Sequence, residues 1–149
     1  MNYFSSETAA NLPCCLNLIR RAAHADDYNR MLYEFLLNHA PNEEHKNILT
    51  GIRNEEGVHR KLLCQLYFNL SGQALLPPKN APASPPASYR DGLLHAWNRK
   101  KEAMRRSQEI ARCLSNINQA MRMADIASEE TRHWLLYLYL YRERPSSRG

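Results

Sequence analysis

Two short motifs hold most of the chemical potential of this chain. Glu56-Gly-Val-His59 and Glu130-Thr-Arg-His133 are both Glu-x-x-His. On a helix that spacing puts a carboxylate and an imidazole on one face, one turn apart. The copies are offset by 74 residues, and each Glu stands 14 residues after an asparagine, Asn42 or Asn116, suited to capping a helix. Two such motifs at equal depth on alternate helices are the pattern of a carboxylate-bridged two-metal site. Two divalent cations in close proximity need several carboxylates to neutralise them, with imidazole as a terminal ligand on each ion.

The elements that must position these residues are helices. Apolar stripes run through Leu16, Ile19, Ala23, Tyr28, Met31 and Phe35, then through Ile48, Ile52, Leu62, Leu66 and Leu70. Pro41 ends the first of these helices, and Asn42 caps the second with Glu43 and Glu44 in its first turn. Ser88 caps a third helix with Asp91 at its third position, and Asn116, with Asn118 competing, caps a fourth. The alternating run Tyr137 to Tyr141 reads as helix because nothing from Met121 onward breaks one, and Pro145 stops it. The expectation is therefore all-α, with helices over 13–40, 43–70, 89–114 and 117–143. A proline-rich segment over 71–88, too rich in proline for helix or central strand, crosses between the two hairpins. This connectivity makes a ferritin-like four-helix bundle in one domain, 1–149.

Helices one and three must supply the remaining ligands. With the first turn centred between Pro41 and Asn42, Glu56 faces Asp27 and His59 faces His24. Asp27 is the expected carboxylate, and His24 a hydrogen-bonded neighbour. The equivalent of Asp27 on the third helix is Lys101, or Lys100 if that helix shifts by one residue. Glu102 is the nearest carboxylate but is rotated by ~100° from position 101. The stripe of Leu94, Trp97, Met104 and Ala111 leaves it at the edge. An ammonium can take a metal's place among carboxylates. With Asp27, Glu56 and Glu130 it leaves a pocket suited to one divalent ion rather than two.

The chain resembles the ferritin-like superfamily, specifically a stand-alone rubrerythrin-like domain, from about Leu16 to Tyr141. The residues that carry the resemblance are Ala25-Asp26-Asp27-Tyr28, the turn Ala40-Pro41-Asn42-Glu43-Glu44, Glu56-x-x-His59 and Glu130-x-x-His133. It implies a four-helix bundle with a di-iron or mixed di-metal centre that reduces peroxide or oxidises ferrous iron. It also implies that Glu56, His59, Glu130 and His133 are metal ligands, with Asp27 where the family has glutamate and a lysine where it has the third-helix glutamate. Rubrerythrins proper add a rubredoxin module with paired CxxC. This chain has none, so electrons would come from an external donor protein. Iron or manganese is the expected metal, as one or two ions, or none where the lysine takes over. Tyr28, Trp97 and Trp134 are redox-tolerant neighbours.

Composition fits this reading. The 149 residues are 44% hydrophobic and 23% charged, ordinary for a globular domain, with five glycines, too few for a turn-rich β-barrel. No apolar run approaches a membrane span, and the N-terminus shows no signal-peptide pattern. Cys14, Cys15, Cys64 and Cys113 form no CxxC, and the expectation is reduced thiols in a cytoplasmic protein. The net charge of +5 is concentrated in Arg99, Lys100, Lys101, Arg105 and Arg106 and in Arg142, Arg144 and Arg148. A solvated helix face is the preferred reading of that strip, and nucleic-acid association the least favoured function. Two functions compete ahead of it. One is a metal-binding redox protein of rubrerythrin type, alone or as a homodimer. The other is a degenerate, metal-poor bundle serving as a structural or interaction module.

Overall fold

In the computed structural model, which describes residues 3–79 and 84–143, the secondary structure is four helices: α1 (Tyr3–His39), α2 (Glu43–Ser71), α3 (Tyr89–Cys113) and α4 (Ile117–Arg142). Local chemistry explains the boundaries. Asn42 accepts a hydrogen bond from the His45 amide (2.9 Å), Ser88 from the Asp91 amide (3.0 Å) and Asn116 from the Gln119 amide (3.0 Å). Each satisfies one of the amides a helix start leaves free. α2 ends at Gly72, whose φ of 72° lies in the left-handed region that glycine occupies without penalty. Residues 137–141 continue α4 as helix. α1 begins ten residues before the expected start and carries Pro13 inside it. A proline forfeits one backbone hydrogen bond, and here the helix continues past it. Pro82, Arg144, Pro145 and Arg148 lie outside the described residues.

α1 packs beside α2 and α3, and α4 packs tightly on α3 and more loosely on α2. Pairs such as Arg60 with Asp27, Tyr28 with His95 and Tyr139 with Glu44 show that these neighbours run antiparallel. Tyr89, at the start of α3, bonds His45 at the start of α2 (2.7 Å), so the end of α2 and the start of α3 lie at opposite ends of the bundle. Along the way, the Leu76 carbonyl meets His24 (3.0 Å), and residues 84–86 lie against Tyr28, Met31 and Phe35.

The interior has two apolar layers. One gathers Ile19, Ala23, Leu63, Leu66, Ile110, Met123 and Ile126, and the other Leu32, Leu36, Leu49, Ile52, Leu93, Tyr137 and Leu140. Between them sits a polar layer with Glu56, His59, Lys100, Glu130 and His133, all 5% exposed or less. α3 contributes small residues to its buried face, Gly92, Ala96, Ala103 and Ser107. At Gly92 even a Cβ would stand 2.9 Å from Leu36 Cδ2, so α1 and α3 meet closely there.

The thiols depart from expectation. Cys15 and Cys113 form a disulfide between α1 and α3, while Cys14 and Cys64 are free. The two residues are far apart in sequence but opposite one another where α1 and α3 antiparallel-pair, and that proximity cannot be read from Cys spacing. The bond spans 98 residues. Closing a loop of that length removes considerable entropy from the unfolded chain. Cys15→Ser, or reduction with dithiothreitol, is expected to lower stability by ~2–5 kcal/mol, read as a drop in the urea midpoint. Thiol counting of the denatured, unreduced chain should find two free thiols, and four would contradict the cross-link.

Candidate metal centre

The centre is built at the middle of α2, α3 and α4. Glu56 and Glu130 approach from α2 and α4, and the Lys100 ammonium from α3 lies between them, on Glu56 Oε1 and 2.9 Å from Glu130 Oε2. Each histidine then crosses to the other motif. His59 Nδ1 donates to Glu130 Oε1 (3.0 Å), and His133 Nδ1 donates to Glu56 Oε1 (2.9 Å). The rings stack with centroids 6.0 Å apart. Their outer nitrogens are held as well: His59 Nε2 by Glu129, and His133 Nε2 by Glu55, which also receives Arg132. Glu55 and Glu129 are again offset by 74, so the arrangement is a pseudo-two-fold.

Asp27 is not part of this centre. It pairs with Arg60 at 2.7 Å, and the α1 carboxylate that senses Glu56, Glu130 and Lys100 is Asp26. The lysine is Lys100, 1% exposed, while Lys101 and Glu102 are both exposed. Lys100 is the alternative expected for a third helix shifted by one residue, and Asp26 in place of Asp27 is the same slip on α1, which keeps the offset, since Asp26 and Lys100 are also 74 apart. The physical reason is in the stripes. The buried face of α1 runs Ile19, Ala22, Ala23, Asn29, Leu32, Tyr33 and Leu36, and that of α3 runs Leu93, Ala96, Lys100, Ala103, Ser107 and Ile110. Met31 and Leu94 are 44% and 40% exposed, so bulk misplaced both faces.

The other candidates lie elsewhere. His24 is bound to the Leu76 carbonyl. Tyr28 bonds His95 (3.3 Å) beneath the Arg99 guanidinium, 4.0 Å from its ring centroid. Trp97 and Trp134 stack at 5.4 Å, with both indole nitrogens unpartnered. With Lys100 buried and Arg99 engaged with Asn29, the basic run of α3 is not a continuous surface strip. Sequence reasoning missed Asp26, Glu55, Glu129, and the buried Tyr33 and Tyr137. The Glu-Glu doublets at 55–56 and 129–130 were the available signal for two of them.

Electrostatics follows from burial and pairing. Burial alone would lower both histidines, but hydrogen bonds to carboxylates outweigh it and hold each at about 9. Burial likewise opposes a charged Lys100, and the charges of Glu56 and Glu130 reverse that and raise its pKa. Burial would raise Glu130, yet Lys100 and the two histidines bring it well below the usual range. Burial, then the charge of Glu56, pushes Asp26 up. The carboxylates of Glu55, Glu56, Glu129 and Glu130 thus face four cations, Lys100, His59, His133 and Arg132.

The donor set also fits a metal ion. Glu56, Glu130 and His133 each offer a ligand atom, and these atoms lie within 4.8 Å of one another. Glu56 Oε2 is buried and accepts no hydrogen bond among the described residues, while Glu130 Oε2 is met by the Lys100 ammonium. A carboxylate on the outer nitrogen of each histidine keeps a proton at Nε2, so that once the inner proton leaves, the Nδ1 lone pair points inward as metal-binding histidines require. No protein-family model and no curated protein matches the chain.

The histidine shifts make stability depend on pH. A group whose pKa is raised on folding contributes fully below its unfolded value of about 6.5, and that contribution is lost as pH climbs through about 9. Urea midpoints of metal-free protein should therefore fall between pH 6.5 and 9.5, and the fall should be smaller in His59→Gln. A flat profile over that window would show that the histidines are not ion-paired.

Proposed function

We propose that this chain is a ferritin-like, rubrerythrin-type bundle whose centre binds a single divalent transition-metal ion, iron or manganese. Lys100 supplies the positive charge that a second ion would otherwise bring. The observation that carries the reading is the pseudo-two-fold set of Glu56, His59, Glu130 and His133 with Nδ1 atoms inward and Nε2 atoms held by Glu129 and Glu55. Glu56, Glu130 and His133 would hold the ion. A bound metal of this kind supplies one-electron or Lewis-acid chemistry. The residues of the chain supply the rest: two carboxylates of fixed geometry, a fixed ammonium, and histidines whose inner proton leaves when metal binds. The corresponding activity is slow redox turnover of peroxide or ferrous iron, with electrons from a separate protein.

The double ion pair of Lys100 favours a second reading. The network of four carboxylates and four cations is balanced without a metal. In that case the bundle is a structural module whose buried charges fix one packing arrangement.

Metal analysis separates the two. After equilibration with Mn(II) or with Fe(II) under anaerobic conditions and removal of excess, the first reading expects close to one ion per chain. It expects loss of that ion in Glu130→Gln, and uptake toward two ions in Lys100→Glu. Binding should release protons and weaken as pH falls through about 9 and below, because the histidines must give up a proton. An absence of bound metal and of any thermal shift with Mn(II) would leave the structural reading standing. Tight binding of two ions by the unmodified chain would overturn the role given to Lys100.

A further inference from the structure

α4 carries two stripes. One, from Met123 through Glu130 and His133 to Leu140, is buried against the core and the centre. The other runs Ile117, Met121, Ala124, Ser128, Thr131, Leu135 and Tyr139, and every one of these residues is exposed. Steps of three or four residues throughout are the spacing of a seam along which helices pack. The four large members, Ile117, Met121, Leu135 and Tyr139, are 46% to 69% exposed. Tyr139 has its hydroxyl on Glu44 (2.6 Å), which holds its ring at the surface.

The seam is symmetric about Ser128. Met121 and Leu135 lie seven residues to either side of it, and Ile117 and Tyr139 eleven. A second α4 laid antiparallel, with Ser128 on the two-fold axis, therefore sets Met121 against the partner's Leu135 and Ile117 against the partner's Tyr139. Each such contact occurs twice, as an isologous interface requires. Size follows the same plan. Two crossing helices are closest where they cross and diverge toward their ends. The middle of the seam has small residues, Ala124, Ser128 and Thr131, which border an open hollow of about 330 Å³ with Gln108 and Ala111 of α3. The bulky residues stand at the ends, where more space must be filled. Charge agrees as well. Exposed Asp125 comes within one residue of the position facing the partner's Arg132. Arg132 gives one terminal nitrogen to Glu55 at the surface, which leaves other N–H groups of its five for a second carboxylate.

We propose that two copies of this chain associate through the exposed seam of α4, antiparallel about a two-fold axis at Ser128. Residues 117–139 span about 33 Å of helix, and monomers seldom leave an apolar stripe of that length in water. The inference is independent of the metal reading, because the seam and the centre occupy different faces of α4.

Sedimentation equilibrium of the full chain tests it, in a Cys14→Ser background so that this exposed thiol adds no cross-link of its own. The mass should approach twice 17.3 kDa at ~100 µM. Met121→Glu alters an exposed side chain, so the helical circular-dichroism signal should be unchanged. It buries a carboxylate against the partner's Leu135 and should weaken the dimer by about tenfold or more. Adding Leu135→Lys to Met121→Glu brings opposite charges together at both ends of an antiparallel pair and should restore most of the affinity. In a parallel pair each introduced charge would face its own copy, and the double variant would stay monomeric. A chain that is monomeric at ~500 µM would overturn the proposal and leave the seam to a different protein. A dimer indifferent to Met121→Glu would overturn the assigned surface, and a double variant without recovery would overturn the antiparallel register.

Discussion

A buried ammonium between two buried carboxylates is the constraint around which this bundle is arranged. Lys100 is 1% exposed and Glu56 and Glu130 are 5% and 3% exposed. None of the three is tolerable in such surroundings alone, because an uncompensated buried charge is costly. Together they set where α2, α3 and α4 sit. The histidines extend the compensation outward, each between an inner and an outer carboxylate, until it reaches solvent at Glu55, Glu129 and Arg132. The looser contact of α2 with α4 is filled by these His–Glu bridges rather than by close backbone approach. Such a layer adds little stability compared with an apolar one, and its value lies in permitting only one alignment of the helices.

The same geometry serves both functional readings because an ammonium and a divalent ion make similar demands on carboxylates. Asp26 and Lys100 occupy the two pseudo-equivalent positions on α1 and α3, and they break the symmetry that the rest of the centre keeps. One position bears an acid driven toward its neutral form, and the other a permanent cation. That asymmetry is the chemical difference between this centre and a symmetric dinuclear one.

Much of this was legible in the sequence. Helix caps at Asn42, Ser88 and Asn116 and the paired Glu-x-x-His motifs depend on local chemistry, and local chemistry is written in short stretches. The rotation of α1 and α3 was not. It depends on which side chains fit the interior: on α3, Gly92, Ala96, Ala103 and Ser107 face inward rather than Leu94, and on α1, Leu32, Tyr33 and Leu36 face inward rather than Met31. Hydrophobic bulk points to the core only when there is room for it. The disulfide was illegible for a different reason. Cys15 and Cys113 are neighbours only after the fold has brought α1 and α3 together.

That cross-link changes what a break in the chain would mean. Cys15 belongs to the first helical hairpin and Cys113 to the second, and the peptide path between the hairpins runs through residues 72–88. A protease that cut this path would separate nothing, because the sulfur bridge still joins the halves. The product would be a two-chain protein with each hairpin intact and the charged layer still shared between them. In a reducing environment the same cut would leave two fragments held only by packing and by the ion pairs of Glu56, Lys100 and Glu130. The continuity of the molecule is thus guaranteed twice, once by backbone and once by sulfur, and only the second guarantee responds to redox conditions.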